Sequence, residues 1–493
     1  VNNSLVESKI AGNGNRLVSI MQKRLSKSDF ISYLECPGEF WLRSHKPSLF
    51  NINDTVESEH LRQQGYEVQR MARQLLRFES TDASVEFERV FETDAFYAGR
   101  DVVRIDAASR TVDLYEIKSS TTIKDEHIED LAFQKLAAKS SGTSVGRCFL
   151  VTLNGEYIRR GAIDIEQLFM ITDVTERVDS LMALTEQKAA EALGFLDTVP
   201  KPSLTDYCDA KKLDCEFVRH HFPNLPEYTV FDIARLNNGK RRQLLADGIV
   251  DIADVPTDFP LSDKQRRQVE AARSGEVVID REEIAKRVES WQYPLHFLDY
   301  ETFSSPTPPF DDIKPFQHMC FQYSLHTIDA PGGRPRHVSF LSRDEETPAR
   351  AMAESLVRAM SGGIGTVFVW YEQFEKGRNS EMAAMYPEFS SFFNEVNSRM
   401  YDLMKIFSDH LYIHPGFKGR TSIKKVLPVL RPQLSYAELG IGDGMTASIN
   451  WYRTRTWNSI GESERQKIFQ DLEAYCHLDT LAMVEIFNEI VSL

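Results

Sequence analysis

Apolar and polar residues recur with two periods along this chain, and the changes between them mark its elements. SKSDFISYLECPGEFWLR places Phe30, Tyr33, Leu34 and Phe40 on one helical face after a Ser26 or Ser28 cap, with Pro37 interrupting it. SEHLRQQGYEVQRMARQLL predicts a second helix. Alternation in VEFERVF and in RDVVRIDAASRTVDLYEIKSS predicts hairpin-connected strands, followed by a helix in HIEDLAFQKLAAKS and a strand in RCFLVTLN. A long helix is expected from about Asp179 to Phe195, ending near Pro200. The stretch from Pro223 to about Ser290 is charged and turn-rich, with a short hairpin-like piece in QLLADGIVDIADV, and reads as a connection.

The strand pattern resumes near Trp291 with HFLDYETF, then CFQYSLHTIDAP and RHVSFLS, a helical EETPARAMAESLVRAMS, the apolar strand TVFVWY and the helical SEMAAMYPEF. ERQKIFQDLEAYCHLDTLAMVEIFNEIV closes the chain as a helix whose apolar residues recur at three and four. The fold class is therefore α/β, with one domain over 1–222, a connecting region over 223–290 and a second domain over 291–493.

Composition narrows the functional classes. A chain of 493 residues with 42% apolar and 27% charged residues is long enough for two large cores. A formal charge of −15 argues against a lysine-coated nucleic-acid binder, so any such surface must be local. No segment has the length and apolarity of a membrane span and the start carries no targeting pattern, so no membrane partner and a cytoplasmic location are expected. Six cysteines at this length do not make a secreted disulfide framework, but Cys208 and Cys215 lie close enough to raise metal binding.

The informative stretch is HFLDYETFSSPTPPF. Positions two apart on a strand share a face, which sets Asp299 and Glu301 roughly 6–7 Å apart on an otherwise apolar strand. Like charges there repel and resist desolvation, and a divalent cation removes that cost; oxygen donors suit magnesium or manganese. Alone, a DxE on a strand end more often faces water, so further partners are needed. The closing helix supplies Tyr475 and Asp479, four apart and on one face, and VWYEQFEKGR supplies Glu372 and Glu375 beyond an apolar strand.

These blocks resemble the DnaQ-like exonuclease superfamily, in the variant with tyrosine four residues before the last acid. The resemblance implies a ribonuclease-H-like domain in which Asp299, Glu301, Glu375 and Asp479 hold two divalent metals and Tyr475 orients or deprotonates the attacking water. The second block departs from the common asparagine and aspartate: Glu372 and Glu375 stand there, and Glu375 is favoured as the ligand. Asp402, in RMYDLMKIF, either supports the metal-holding acids from behind or caps a helix. Lys418, Arg420, Lys424 and Lys425 form a basic run that is either a solvated face or a grip on phosphates.

In the first domain, Asp101 precedes a strand–turn–strand that ends in Glu116 and Lys118, two apart on one face, with Gln134 on the next helix. The arrangement resembles the PD-(D/E)xK superfamily of restriction-endonuclease-like folds, particularly RecB-like domains and CRISPR-associated adaptation nucleases. That resemblance implies Asp101, Glu116 and Lys118 as a catalytic set with Asp101 and Glu116 on metal, Gln134 in the helix motif and Glu67 as an upstream helical acid. His60 reads as a surface histidine. Those relatives clamp the nuclease core with four cysteines around an iron–sulfur cluster; here Cys36, Cys208 and Cys215 are joined by His221 where the last cysteine is expected. Such a set suits zinc or a [4Fe-4S] cluster, and buried cysteines without metal are ordinary core residues. Cys148 and Cys320 read as core, and Cys476 lacks a pattern for nucleophilic chemistry.

The combination resembles a bacterial family of unknown function (domain of unknown function 2779) that joins a RecB-like nuclease domain to a DnaQ-like exonuclease domain. It implies a metal-dependent nuclease acting on DNA, single-stranded or with free ends, in repair or in defence against foreign DNA. RNA as substrate and a nucleic-acid-binding protein with decayed centres are the alternatives.

Overall fold

Ser26 opens the first helix through a reciprocal cap: Asp29 N donates to Ser26 Oγ at 3.1 Å, and Ser26 N donates to Asp29 Oδ2 at 3.1 Å. The computed structural model describes residues 24–50, 55–78, 84–99, 101–105, 111–207, 213, 215–343, 347–456 and 460–493. Strand β1 (Leu25–Ser26) leads into α1 (Lys27–Glu35). Pro37 then begins α2 (Pro37–His45), where a missing N–H leaves no helical bond unmade. Helix α3 (Val56–Phe78) follows.

Strands β2 (Ser84–Phe87), β3 (Val90–Glu92), β4 (Phe96–Gly99), β5 (Val102–Ile105) and β6 (Val112–Ile117) precede α4 (Asp125–Ser140) and β7 (Val145–Leu153). The short α5 (Ile165–Leu168), β8 (Phe169–Asp173) and the long α6 (Thr175–Leu196) complete this half. Strands β2-β5-β6-β7-β8 form one sheet, in which only the β6–β7 pair is parallel, and β1-β4-β3 form a smaller one. Helix α4 is buried almost all round: Leu131, Ala132 and Phe133 are fully covered, and so is Gln134. A helix with no solvent face must satisfy its polar side chains internally, which is how α4 comes to hold part of a polar cluster.

The connecting region is more structured than its composition predicts. After α7 (Leu204–Tyr207) and α8 (Glu216–His221) close the first half, it contains α9 (Asn238–Ala246), α10 (Asp263–Ser274), β9 (Val278–Ile279) and α11 (Arg281–Glu289). QLLADGIVDIADV is not a hairpin. Asn237 caps α9 by accepting from Lys240 N at 2.9 Å, Gly248 turns the chain at φ +78°, and a 3-10 turn follows at Ile252–Asp254. Val230, Leu244, Ile252, Val255 and Phe259 share an apolar cluster of their own.

The second half carries β10 (Leu295–Phe303), β11 (Met319–Ile328), β12 (Arg336–Leu341), α12 (Pro348–Ala359), β13 (Val367–Val369), α13 (Glu372–Met385), α14 (Ser390–Arg399) and β14 (Met400–Asp402). After the short α15 (Lys405–Ser408) come β15 (Tyr412–Ile413), α16 (Ile423–Leu430), α17 (Gly444–Thr456) and α18 (Glu462–Val491). The sheet runs β12-β11-β10-β13-β14, antiparallel across β12, β11 and β10 and parallel across β10, β13 and β14; β15 pairs with β9. Both faces are covered. Phe297 and Phe303 pack with Trp451 of α17 and Leu472 and Phe487 of α18, while Leu298 and Tyr300 pack with Met352, Leu356, Met382 and Phe393 on the other side. The protein is thus mixed α/β with several mixed sheets. Among the described residues, no helix is long and apolar enough to cross a membrane.

Candidate active site

Strand parity turns Asp299 and Glu301 to the same face as Phe297 and Phe303, beneath α18. The register with β11 shifts between Glu301 and Thr302, so the acid pair ends at a bulge. Asp299 is half-buried and Glu301 is buried at 6% exposure.

Glu375 arrives from the start of α13 and is 2% exposed. The turn that places it holds Tyr371 at φ +84°, a left-handed conformation costly for a residue with a side chain, by about 1–3 kcal/mol. Asp402, at the end of β14, holds that turn by accepting from Tyr371 N at 3.1 Å and Glu372 N at 3.3 Å, and it also accepts from Met404 N at 3.1 Å. Of the two roles open to Asp402, the geometry shows the cap. Tyr300 Oη donates to Asn379 Oδ1 at 2.8 Å and ties α13 to β10. Glu372 turns elsewhere, paired to Lys376 at 2.7 Å and to Lys405. Burial works against ionisation of Glu372, yet hydrogen bonds from the two lysines hold its carboxyl below the usual range.

Helix α18 delivers Tyr475 and Asp479 one turn apart, at 4% and 7% exposure. Tyr436, in the loop after α16, donates to Asp479 Oδ1 at 2.6 Å. Lys424 of α16 donates to Tyr475 Oη at 3.1 Å, so one of the four basic residues in its stretch reaches the acids. Lys418 pairs instead with Glu227, and Arg420 lies 3.8 Å from Asp232. Cys476 Sγ donates to Asp299 Oδ2 at 3.6 Å, and Asp299, Glu301 and Cys476 each offer a ligand atom within 4.8 Å of the others.

Burial raises the proton affinity of all four acids, and neighbouring carboxylates add to it at Asp299, Glu301 and Glu375. Burial pushes Asp299 well above the carboxylate range and Asp479 adds to it. Burial, then Asp299 and Asp479, do the same to Glu301, and burial, then Asp299 and Glu301, to Glu375. Asp479 is pushed up by burial to about 6, with the hydroxyls of Tyr436 and Tyr475 and the Lys424 ammonium holding it down. Burial and the acids push the Tyr475 hydroxyl far above its ordinary value.

This donor set fits a divalent cation. Lys424 is the ammonium that faces Asp299, Glu301 and Asp479; Arg378, which faces Glu375, is already bound to Glu381 by two hydrogen bonds of 2.7 Å. Glu375 Oε2 is buried with no hydrogen-bond partner, an oxygen whose lone pairs a hard cation would use.

The first half holds a second cluster of a different character. Glu116 Oε1 accepts from Lys27 Nζ at 2.8 Å and Lys118 Nζ at 2.9 Å, and Oε2 accepts from Gln134 Nε2 at 2.9 Å. Asp130 joins them, accepting from Gln134 Nε2 at 2.8 Å and from Lys118, with Lys27 Nζ 3.3 Å away. Burial opposes ionisation of Glu116, but Lys118 and Lys27 outweigh it and hold the carboxyl well below its usual range. Asp101 accepts from Ile117 N at 3.0 Å and Gln69 Nε2 at 3.2 Å; burial and then Glu116 push it up to about 6. Two lysines nearly balance three acids here, unlike the carboxylate-rich site of the second half.

Glu67 is not brought to this cluster. Gln69, two residues on, reaches Asp101, and positions two apart on a helix point about 200° apart. Glu67 instead shares the α3 face that meets Tyr452. His60, one face-repeat earlier, is not a surface residue: it is 4% exposed, with its ring 5.5 Å from that of Tyr452 and 6.5 Å from that of Phe303.

Cys36 is buried as the cap of α2, accepting from Glu39 N at 3.4 Å, and Cys215 is near enough to raise its thiol further after burial has done so. Gly38 permits the approach of α8, since a Cβ there would stand 2.7 Å from the Phe217 ring. Among the described residues, His221 of α8 keeps a buried Nε2 with no hydrogen-bond partner. Cys208 lies outside the described residues, and among the described residues Cys36, Cys215 and His221 do not form a three-ligand grouping. Cys148 and Cys320 are buried.

Sequence reasoning passed over Lys27, Asp130, Tyr436 and the contact of Cys476 with Asp299. Asp130 alone had a local signal, standing four residues before Gln134 on α4. A cleft of about 1560 Å³ lies between the halves, lined by Thr121, Arg160, Lys314, Arg350, Glu381 and Tyr386, and none of the clustered acids lines it.

Residues 296–422 match a family model described as a domain of unknown function (DUF2779), the family named by the sequence resemblance. The matched segment contains Asp299, Glu301 and Glu375 and stops short of Lys424, Tyr475 and Asp479. No curated protein and no solved structure matches the chain.

Proposed function

We propose that the chain is a divalent-metal-dependent nuclease whose main centre is the DnaQ-like exonuclease site of Asp299, Glu301, Glu375 and Asp479. The observation that carries this is that Asp299 and Glu301 of β10, Glu375 of α13 and Asp479 of α18 lie near enough for their charges to act on one another, with one Glu375 oxygen buried and unpartnered among the described residues. The mixed sheet with helices on both faces supports a ribonuclease-H-like reading of 291–493. Magnesium or manganese held there supplies Lewis-acid stabilisation of a phosphodiester and activation of its attacking water.

The chain's own groups do the rest. Tyr475 keeps its proton and acts as an orienter through Oη, since burial among acids opposes its ionisation. Lys424, beside it, offers an ammonium to a phosphate oxygen. Tyr436 fixes the Asp479 carboxylate. In the first half, the Asp101–Glu116–Lys118 cluster supports a second, PD-(D/E)xK centre, in which Lys27 must release Glu116 before Glu116 and Asp101 share a cation.

The substrate is a DNA end, and the setting is DNA repair or defence against foreign DNA. Degradation of end-labelled single- and double-stranded DNA with manganese, by wild type, Asp299→Asn, Glu116→Gln and the double variant, tests this. Asp299→Asn should stop end trimming while Glu116→Gln leaves it running. RNA of the same sequence belongs in the assay, because carboxylate-held cations act on phosphate and do not themselves reject a 2′-hydroxyl. Intact wild type that cleaves neither nucleic acid with either metal would overturn the proposal.

A further inference from the structure

Three histidines from three elements meet on the sheet face that α18 covers. His326 of β11 stands directly opposite His337 of the edge strand β12. His477 of α18 lies over both: ring centroids are 4.6 Å apart for His326 and His337, 5.0 Å for His326 and His477, and 4.4 Å for His337 and His477. One ring nitrogen of each lies within 4.8 Å of one from each of the others.

Hydroxyl groups already hold two of these rings through one nitrogen each. Thr480 Oγ1 meets His326 Nδ1 at 2.8 Å, Ser324 Oγ meets His337 Nε2 at 2.9 Å, and the two hydroxyls meet at 2.7 Å. Metal-bound imidazoles characteristically keep such a partner on their second nitrogen. No hydrogen bond within the described residues engages His326 Nε2, His337 Nδ1 or either nitrogen of His477.

We propose that His326, His337 and His477 form a transition-metal site for a zinc-class ion, fastening the β11–β12 hairpin to α18. Tetrahedral zinc at about 2.0–2.1 Å from each nitrogen would set the three about 3.3 Å apart, so the rings must draw together when the ion binds. His337 is exposed on an edge strand and has room to turn. Neutral imidazoles with no carboxylate among them suit zinc and its neighbours over magnesium, so the ion differs in class from that of the acid site. The solvent side of His337 leaves a fourth position for water. Because His477 lies between Tyr475 and Asp479 on α18, the clasp would fix the register of the helix that carries them. The site stands on its own geometry and holds whether or not the chain cleaves DNA.

The test uses the full chain, stripped with EDTA and titrated with zinc and with cobalt. Wild type should bind, besides any ion at the acid cluster, one equivalent with visible cobalt d–d absorption and no thiolate charge-transfer band, which separates this site from Cys36 and Cys215. His337→Ala should weaken that equivalent at least tenfold and abolish the zinc-dependent rise in Tm, with its metal-free Tm unchanged; His477→Gln should do the same to binding. Cys36→Ser should retain the equivalent. Wild type binding no zinc, or binding unchanged in His337→Ala, would overturn the proposal.

Discussion

Tyr436 and Asp479, 43 residues apart in sequence, meet in a 2.6 Å hydrogen bond that joins the loop after α16 to the closing helix. Burial pushes Asp479 up to about 6, and this bond opposes the shift. A protonated Asp479 cannot ligate a cation, so activity is expected to fall as pH drops through that value. Tyr436→Phe removes the donor and should move the acidic limb of the pH–rate profile about one unit higher, equivalent to ~1.4 kcal/mol. Profiles of manganese-dependent cleavage for the two proteins check it; coincident acidic limbs would show that the bond does not tune Asp479.

The four acids also govern stability. A carboxyl that binds its proton more tightly in the folded chain than in the unfolded one stabilises the fold below its unfolded pKa, and that contribution is lost as pH rises through the folded pKa. For Asp479 the window runs from 3.8 to about 6, and Asp299, Glu301 and Glu375 extend the loss upward. Without metal, Asp299→Asn should therefore be more stable than wild type at pH 8 by about 1–3 kcal/mol. Manganese should stabilise wild type and do less for the variant. Denaturant unfolding with and without the ion measures both differences.

Glu116 has the opposite sign. Lys118 and Lys27 hold it ionised against burial, so it stabilises the fold above its unfolded value of 4.5, and that contribution is lost as pH falls through the depressed folded value. Glu116→Gln leaves Lys118 and Lys27 with Asp130 as their one remaining carboxylate partner and should cost about 3 kcal/mol at pH 7, with the deficit shrinking in acid. Lys27→Met in the same chain should recover part of the loss. Additive effects of the two substitutions would mean that the pair is not coupled.

Tyr475→Phe separates orientation from proton transfer. A hydroxyl that keeps its proton contributes position, so the variant should lose less than the roughly 10²–10⁴-fold expected on removing a general base. It should also leave the basic limb of the pH–rate profile in place, while the acidic limb moves up because the Tyr475 hydroxyl also holds Asp479 down. Disappearance of a basic limb on substitution would make Tyr475 the base instead.

The sequence by itself determined what backbone periodicity controls. Parity on one strand paired Asp299 with Glu301, a four-residue step on one helix paired Tyr475 with Asp479, and a cap at Ser26 or Ser28 and the faces of α18 followed from local pattern, the structure choosing Ser26. Only the tertiary structure decided which distant groups join them. Glu375 rather than Glu372 enters the acid cluster because Asp402 caps a strained turn and Lys376 and Lys405 draw Glu372 aside. Lys424, Tyr436, Lys27 and the three histidines sit on separate elements, and nothing local marks them as neighbours. Spacing along one element follows from its repeat, whereas meeting across elements depends on how whole faces pack, and buried polar groups then take the partners that packing brings within reach.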